Sequence, residues 1–309
     1  MAKAKYKKRA DGRWGTTVWD GTYTDTFDLF NHSMVQLLIN NNIGKPQTCK
    51  QIVMTCKQIV RAAEKDRLLP RGSSLDIFDG LTIPPYTPAE KRPLTQPEKD
   101  ALKAANFTPR EKMFSLLLYG TGFRCGEALA LTVFDISFKD KTIKIDKALA
   151  FDKGKPYISS PKTKNSYRTN PIPDWLVQEL KTYTNTLNLS EQTLLFCKRD
   201  GSLMDLNAYC RMWHSIVKKM KNSYLSQLRE NQLRVVNWNE AGFEDLTAHI
   251  FRHNYCTSLC YQMVTQRNIS TKKIARLLGD TEKMVLKVYS HILEDMEKPK
   301  DAIDAAVSL

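Results

Sequence analysis

The sequence predicts a mainly α-helical protein with a small β-sheet, an α+β class, and three observations carry that prediction. Apolar residues recur at helical spacing through most of the chain. Alternating β-branched and aromatic residues are confined to a few short stretches. Four prolines, Pro84, Pro85, Pro88 and Pro93, separate two helical regions. At 309 residues, with 42% hydrophobic and 9% aromatic content, the chain can build a large core and is long enough for two domains.

Residues 1–26 read as a basic β-ribbon, because Asp11-Gly12 and Asp20-Gly21 punctuate β-branched and aromatic runs as hairpin turns do. A ribbon this short needs a partner or a ligand to be stable. Residues 27–83 read as a helical domain. Its strongest element runs from Gln47 to Leu69, where Cys49, Ile52, Val53, Cys56, Ile59, Val60 and Ala63 make an apolar face and Lys50, Lys57 and Arg61 share another. Residues 84–97 are the linker, and a second domain fills 98–309. Near its start Thr95, followed by Pro97 and Glu98, has the pattern of a capped helix. Met113 to Leu131 reads as largely helical. Thr142 to Asp146 and Lys155 to Ser160 alternate like strands, so a short sheet interrupts the helices. Trp175–Leu187, Asn207–Leu225, Ala248–Val264, Thr271–Leu278 and Glu282–Leu293 complete the helical set. There is no internal repeat and no low-complexity segment.

The balance of 47 Lys+Arg against 33 Asp+Glu leaves a net charge of +14, which draws a chain to polyanions. Charge alone does not separate nucleic acid from a membrane surface or from simple solubility. The 7 cysteines are odd in number, scattered and without a disulfide framework, as expected of a reduced intracellular protein. The basic start leads into no apolar signal core, and no apolar run is long enough to cross a bilayer, so neither secretion nor a membrane partner is expected.

Two patches carry unusual chemistry. Gly120-Thr-Gly-Phe-Arg124-Cys-Gly-Glu127 puts a carboxylate one helical turn from a guanidinium, where it can orient it. An ordinary surface ion pair is the competing account of that patch. Its glycines have the wrong spacing for a dinucleotide fingerprint, and no P-loop occurs. Thr247-Ala-His249-Ile-Phe-Arg252-His253 places two donors to anionic oxygen at i,i+3. His249 and His253 are also i,i+4, but the zinc-site glutamate is missing and Arg252 would repel a cation, so no metal is assigned. Cys256 and Cys260 continue that helix as core residues. Arg124, His249 and Arg252 together are rich in donors and suit a phosphate in phosphoryl transfer. Tyr289, followed by His291, supplies a nucleophile only by virtue of this company.

At these residues the chain resembles the tyrosine recombinase (phage integrase) family. The family's T-G-x-R-x-x-E box is met by Thr121 to Glu127, its H-x-x-R box by His249 to Arg252, and its L-L-G and Y-x-H boxes by Leu277 to Gly279 and Tyr289 to His291. Pro161-Lys-Thr-Lys-Asn-Ser-Tyr-Arg168 resembles the hairpin K-T-x-x-S-x-R, making Lys162 the candidate catalytic lysine, with Lys164 as the fallback. The resemblance covers Leu94 to His291. The basic helix from Gln47 is similar to the last helix of the family's core-DNA-binding domain, and the ribbon to an arm-site-binding module. Two departures stand out. The stretch between Tyr23 and Gln47 is short for the usual helical bundle, which implies an abbreviated core-DNA-binding domain over 27–83, and Asp280 occupies the place of a histidine or tryptophan donor. An ionised aspartate cannot donate to a phosphate, so the expected role of Asp280 is to N-cap the helix carrying Tyr289.

The resemblance implies a helical core-DNA-binding domain joined to a tyrosine-recombinase catalytic domain. It implies a site-specific recombinase or integrase that cuts and rejoins DNA through a 3′-phosphotyrosine at Tyr289, with no metal and no cofactor. Arg124 and Arg252 would clamp the phosphate, Lys162 would protonate the 5′ oxygen, and His249 would move the tyrosine proton. Glu127 would orient Arg124, and His291 would contribute nearby. Lys50, Lys57, Arg61, Lys164 and Arg168 would contact DNA. The implied partners are double-stranded attachment sites, a homotetramer on DNA, and DNA-bending or directionality helper proteins. The implied place is the nucleoid in the cytoplasm of a bacterial host. Topoisomerase-like relaxation, or a catalytically weakened DNA-binding remnant, are the alternatives. The tail from Asp301 to Leu309 either docks on a neighbouring protomer or frays.

Overall fold

A computed structural model describes residues 30–85, 92–160, 166–188, 190, 193–230 and 242–296, together with short strands in the first 25 residues; for those strands, residue 289 and residues 291–296 it describes the backbone alone. Lys162, Lys164 and the tail 301–309 lie outside the described residues. The chain divides into two compact units, Met1–Glu90 and Lys91–Leu309.

In the first unit, strands β1 (Tyr6–Lys8) and β2 (Trp14–Thr16) pair antiparallel, as do β3 (Val18–Trp19) and β4 (Thr24–Asp25). Helices α1 (His32–Asn40), α2 (Pro46–Lys65) and α3 (Ser73–Phe78) follow. The sequence reading places no helix at His32–Asn40. It forms because Asn31 caps it, accepting from the Met34 N–H at 3.1 Å, and because Val35 and Ile39 bury one turn apart. They meet Cys49, Val53 and Val60 of α2 and Ile77 and Phe78 of α3 in a single small core. Ile59, expected on the apolar face, is 49% exposed, since α1 and α3 cover a narrower stripe of α2 than its sequence offers. Lys50, Lys57 and Arg61 are exposed, and the Lys57 ammonium lies 5.6 Å from the centre of the Phe78 ring.

The second unit opens with α4 (Gln96–Ala104), started by a capping box between Thr95 and Glu98. Glu98 is fully buried and also holds Arg92 through two bonds of 2.7 and 2.8 Å, while Arg92 reaches Asp245 at 2.6 Å. Leu94 is already core at 2% exposure, so the residues just before α4 pack as part of this unit. Helix α5 (Pro109–Thr121) has its own capping box, Thr108 with Glu111, and Glu111 takes a 2.6 Å bond from Lys219 of α8 (Leu206–Glu230). Phe114 on α5 meets Phe196 and Trp213 edge to face, and Trp213 meets Phe251 at 5.8 Å. This aromatic line fixes helix α9 (Ala248–Gln266) against α5.

The helical run expected from Met113 to Leu131 is broken. Gly122 takes φ +62 and ends α5, and α6 (Cys125–Leu129) restarts at a new angle. The glycines of this segment have steric reasons to be glycine: a Cβ on Gly122 would meet Tyr255 at 2.6 Å, and one on Gly126 would meet the Leu149 carbonyl at 2.5 Å. The two expected strands fall in different sheets. Thr142–Ile145 (β6) lies between β5 (Ile136–Ser137) and β9 (Arg168–Pro171), whereas Lys155–Ser159 (β8), among the described residues, pairs with β7 (Ala148–Asp152) alone. Helix α7 (Asp174–Thr186) covers α5. Helices α10 (Thr271–Leu278) and α11 (Glu282–Met296) pack on α9 around Cys256, Cys260, Ile274, Leu278 and Val285.

Gly122→Ala combines a left-handed conformation with a clash, and is expected to destabilise by about 2–4 kcal/mol in denaturant unfolding. Burial raises the Glu111 carboxyl, but Lys219, Ser215 and the Thr108 cap outweigh it and bring it down to about 2. A depressed pKa contributes stability that is present above the unfolded value of about 4.3 and is lost as pH falls toward 2. The stability gap between wild type and Glu111→Gln, read by urea unfolding at pH 7 and pH 3, is therefore expected to shrink at the lower pH.

Candidate active site

Arg124 is the N-cap residue of α6, and the helix it opens supplies its first partner. Glu127, one turn on, accepts from the Arg124 backbone N–H at 3.0 Å and from its Nη1 at 3.0 Å. The same carboxylate takes bonds of 3.1 and 2.7 Å from the guanidinium of Arg168 on β9. Burial pushes Glu127 upward, but Arg168 and then Arg124 outweigh it, so its carboxyl titrates below the usual range and is ionised.

Arg168 was expected to face DNA. Its side chain is instead only 6% exposed, donating to Glu127, to the Ser166 carbonyl at 3.0 Å and from Nε to the Leu277 carbonyl at 2.9 Å, with its guanidinium 5.5 Å from the Phe123 ring centre. Arg168 is the first residue of β9, paired with Ile145, and its bond to Leu277 sets it against the C-terminus of α10. Two strand residues further, Asn170 donates to the same Leu277 carbonyl at 2.6 Å. The negative end of α10 is thus held by side chains of the sheet.

Arg252 comes from α9 and is 5% exposed. Its Nη1 donates to the Gly122 carbonyl at 3.0 Å, and its Nη2 to Asp280 Oδ2 at 3.0 Å. Arg124 Nη2 donates to the Gly279 carbonyl at 3.1 Å and lies 3.5 Å from the same Oδ2. Burial lowers the pKa of Arg252, and the neighbouring Arg124 lowers it further, against Glu127 and Asp280. It stays charged, as guanidinium does in proteins. Asp280 does not cap α11 as expected. It stands before Thr281, one residue outside the cap position, so Oδ1 reaches only the Thr281 N–H at 2.9 Å and Oδ2 turns to the two arginines. Its carboxyl is raised by burial and lowered more by Thr281 and Arg252, for a net downward shift.

Three guanidiniums against two carboxylates leave the cluster positive, beside an open cleft of about 580 Å³ whose charged lining is Arg168, Lys272, Lys273 and Arg276 with Asp280 and Glu282. Such a place suits an anionic oxygen. His249, in the first turn of α9, is exposed and one helical turn from Arg252. Tyr289 and His291 lie within α11, which packs on α9 and α10. Among the described residues, no three His, Cys, Asp or Glu side chains gather as a metal site, and no helix is long and apolar enough to cross a membrane. Sequence reasoning missed Asn170 and the joining role of Asp280. The only signal for the latter was its mismatch with the family pattern.

Residues 95–296 match the family model described as the phage integrase family. The tyrosine recombinase XerC-like protein of Caldanaerobacter subterraneus subsp. tengcongensis is 27% identical over 252 residues, covering 73% of this chain and 56% of that protein. The transposase from transposon Tn916 of Enterococcus faecalis is 24% identical, over 71% of this chain and 51% of its own length. The chain spans about half the length of these curated relatives. In fold it is similar to the Tn1549 transposon integrase solved with circular intermediate DNA, at a TM-score of 0.64 and 22% identity over 87% of this chain and 84% of that one. The family match runs unbroken from the cap of α4 through the arginine cluster to the end of the helix bearing Tyr289, and on that extent the chain belongs to the phage integrase, or tyrosine recombinase, family.

Proposed function

We propose that this chain is a site-specific recombinase or integrase of double-stranded DNA, working through a 3′-phosphotyrosine at Tyr289 without metal or cofactor. The observation that carries the reading is the convergence of Arg124 and Arg252, from separate helices, on one anionic oxygen. A non-bridging phosphate oxygen has the charge and the acceptor chemistry to take that place.

In this reading the Tyr289 phenol oxygen attacks phosphorus, and the bond to the 5′ oxygen breaks. Lys162 gives that oxygen its proton, with Lys164 as the fallback, and His249 takes the proton from tyrosine. Arg124 and Arg252 hold the non-bridging oxygens as charge concentrates on them, Glu127 orients Arg124, and His291 assists from the same helix as Tyr289. The phosphotyrosine keeps the bond energy, so a 5′ hydroxyl from a partner strand can reverse the step without a nucleotide. Residues 98–309 do the chemistry. Residues 27–83 grip the core site through phosphate contacts from Lys50, Lys57 and Arg61, and residues 1–26 reach arm sites. Four copies act on two attachment sites, aided by DNA-bending or directionality proteins, at the nucleoid of a bacterial cell. The integrase and transposase names of the relatives favour a mobile element as the setting.

On a nicked suicide duplex carrying the element's own end, wild type is expected to form a covalent adduct visible on a denaturing gel, and Tyr289→Phe none. An adduct with Tyr289→Phe would reject the nucleophile; DNA binding by wild type with no adduct would reject the activity. Lys162→Ala is expected to slow cleavage about 10²–10⁴-fold. It should recover on a substrate whose bridging 5′ oxygen is replaced by sulfur, because a thiolate leaves without a proton. Slow cleavage of both substrates would remove Lys162 from the acid role.

A further inference from the structure

The two carboxylates of the arginine cluster are held very differently. Glu127 is 5% exposed, and each of its oxygens accepts from two donors: Oε1 from Arg124 Nη1 and Arg168 Nη1, Oε2 from the Arg124 N–H and Arg168 Nη2. Such a group is part of the frame. Asp280 is 28% exposed and borders the basic cleft. Its Oδ1 has one short local bond, to the Thr281 N–H, and its Oδ2 meets only the Nη2 atoms of Arg252 and Arg124, at 3.0 and 3.5 Å. It stands in the turn between α10 and α11, just after Gly279 at φ +63, where rotation of one side chain disturbs neither helix.

The remaining bonds of the two arginines do not depend on Asp280. Arg252 keeps the Gly122 carbonyl, and Arg124 keeps Glu127 and the Gly279 carbonyl. The position of Oδ2 is therefore an anion seat that would persist without the aspartate, and the aspartate fills it from within. We infer that Asp280 acts as an internal competitor for phosphate: its carboxylate fills the seat between Arg124 and Arg252 in the free protein and must leave it when the scissile phosphate enters. This rests on the proposed phosphate-clamping role of the arginine pair. A charge-assisted contact of this kind changes competition by about tenfold or more. An incoming phosphodiester offers more than one oxygen and the rest of the DNA contacts, so it can displace a single carboxylate. A free phosphate ion competes less well.

The test uses the whole chain and inorganic phosphate as probe. Asp280→Asn and Asp280→Ser, checked for wild-type-like circular dichroism, are expected to bind phosphate at least tenfold more tightly than wild type by calorimetry. They should also form the covalent adduct on the suicide duplex at least tenfold faster at limiting DNA. Phosphate affinity equal to or below that of wild type overturns the inference, because a carboxylate that merely orients the arginines would leave the seat weaker when removed. If affinity rises as expected but neither wild type nor variant forms an adduct, the competitor stands and the strand-cleaving reading fails. If both variants unfold, the wild type decides alone: saturating phosphate must shift the carbon-13 resonance of the Asp280 carboxyl, and an unchanged resonance overturns the inference.

Discussion

The second unit depends on one buried carboxylate. Glu127, buried, joins the start of α6 to strand β9 by accepting from Arg124 and Arg168 together. Arg168 in turn holds the last turn of α10, and the end of α10 supplies the Gly279 carbonyl to Arg124. The circuit closes on itself. Without Glu127, Arg168 would be a buried charge held by carbonyls and the Phe123 ring with no carboxylate against it, a defect that costs about 3–5 kcal/mol in comparable settings. Stability and the aim of Arg124 therefore rest on the same two oxygens.

The same device recurs in the unit. Glu98, Glu111 and Glu127 each stand three residues after a helix cap, each accepts the cap backbone N–H, and each also binds a basic side chain from elsewhere: Arg92, Lys219 and Arg168. A carboxylate in the first turn already sits in the favourable field of the helix N-terminus. Using it again as the anchor of a long-range pair ties the direction of a helix to a distant part of the chain. Arg92 shows the reach of this, because it joins the start of the unit to Asp245 just ahead of α9.

What could be read in the sequence was local. The Thr95 cap, the i,i+3 pair Arg124 and Glu127, the spacing of His249 and Arg252, and the helix Thr271–Leu278 are all short-range patterns, and the structure has each of them. What escaped was set by distant contacts. Arg168 looked like a DNA ligand because its partner Glu127 lies far off in sequence, and Thr142–Ile145 pairs with Arg168–Pro171 for the same reason. Helix His32–Asn40 escaped because only Val35 and Ile39 mark its buried side. The break at Gly122 escaped because apolar periodicity continues through it, and only the approach of Tyr255 makes a glycine necessary there. Asp280 was noticed for what it could not donate; its position between two guanidiniums depends on three separate helices.

The Leu277 carbonyl carries a further consequence. A helix normally leaves its last carbonyls to water, and a loop after such an end tolerates added residues. Here Leu277 receives Arg168 and Asn170, and Gly279 receives Arg124, so the turn of 279–281 is measured against the sheet on one side and α6 on the other. Its length is a dimension of the site. Among relatives, natural changes in loop length should accumulate between other elements and pass this turn by, although it is only a loop between two helices.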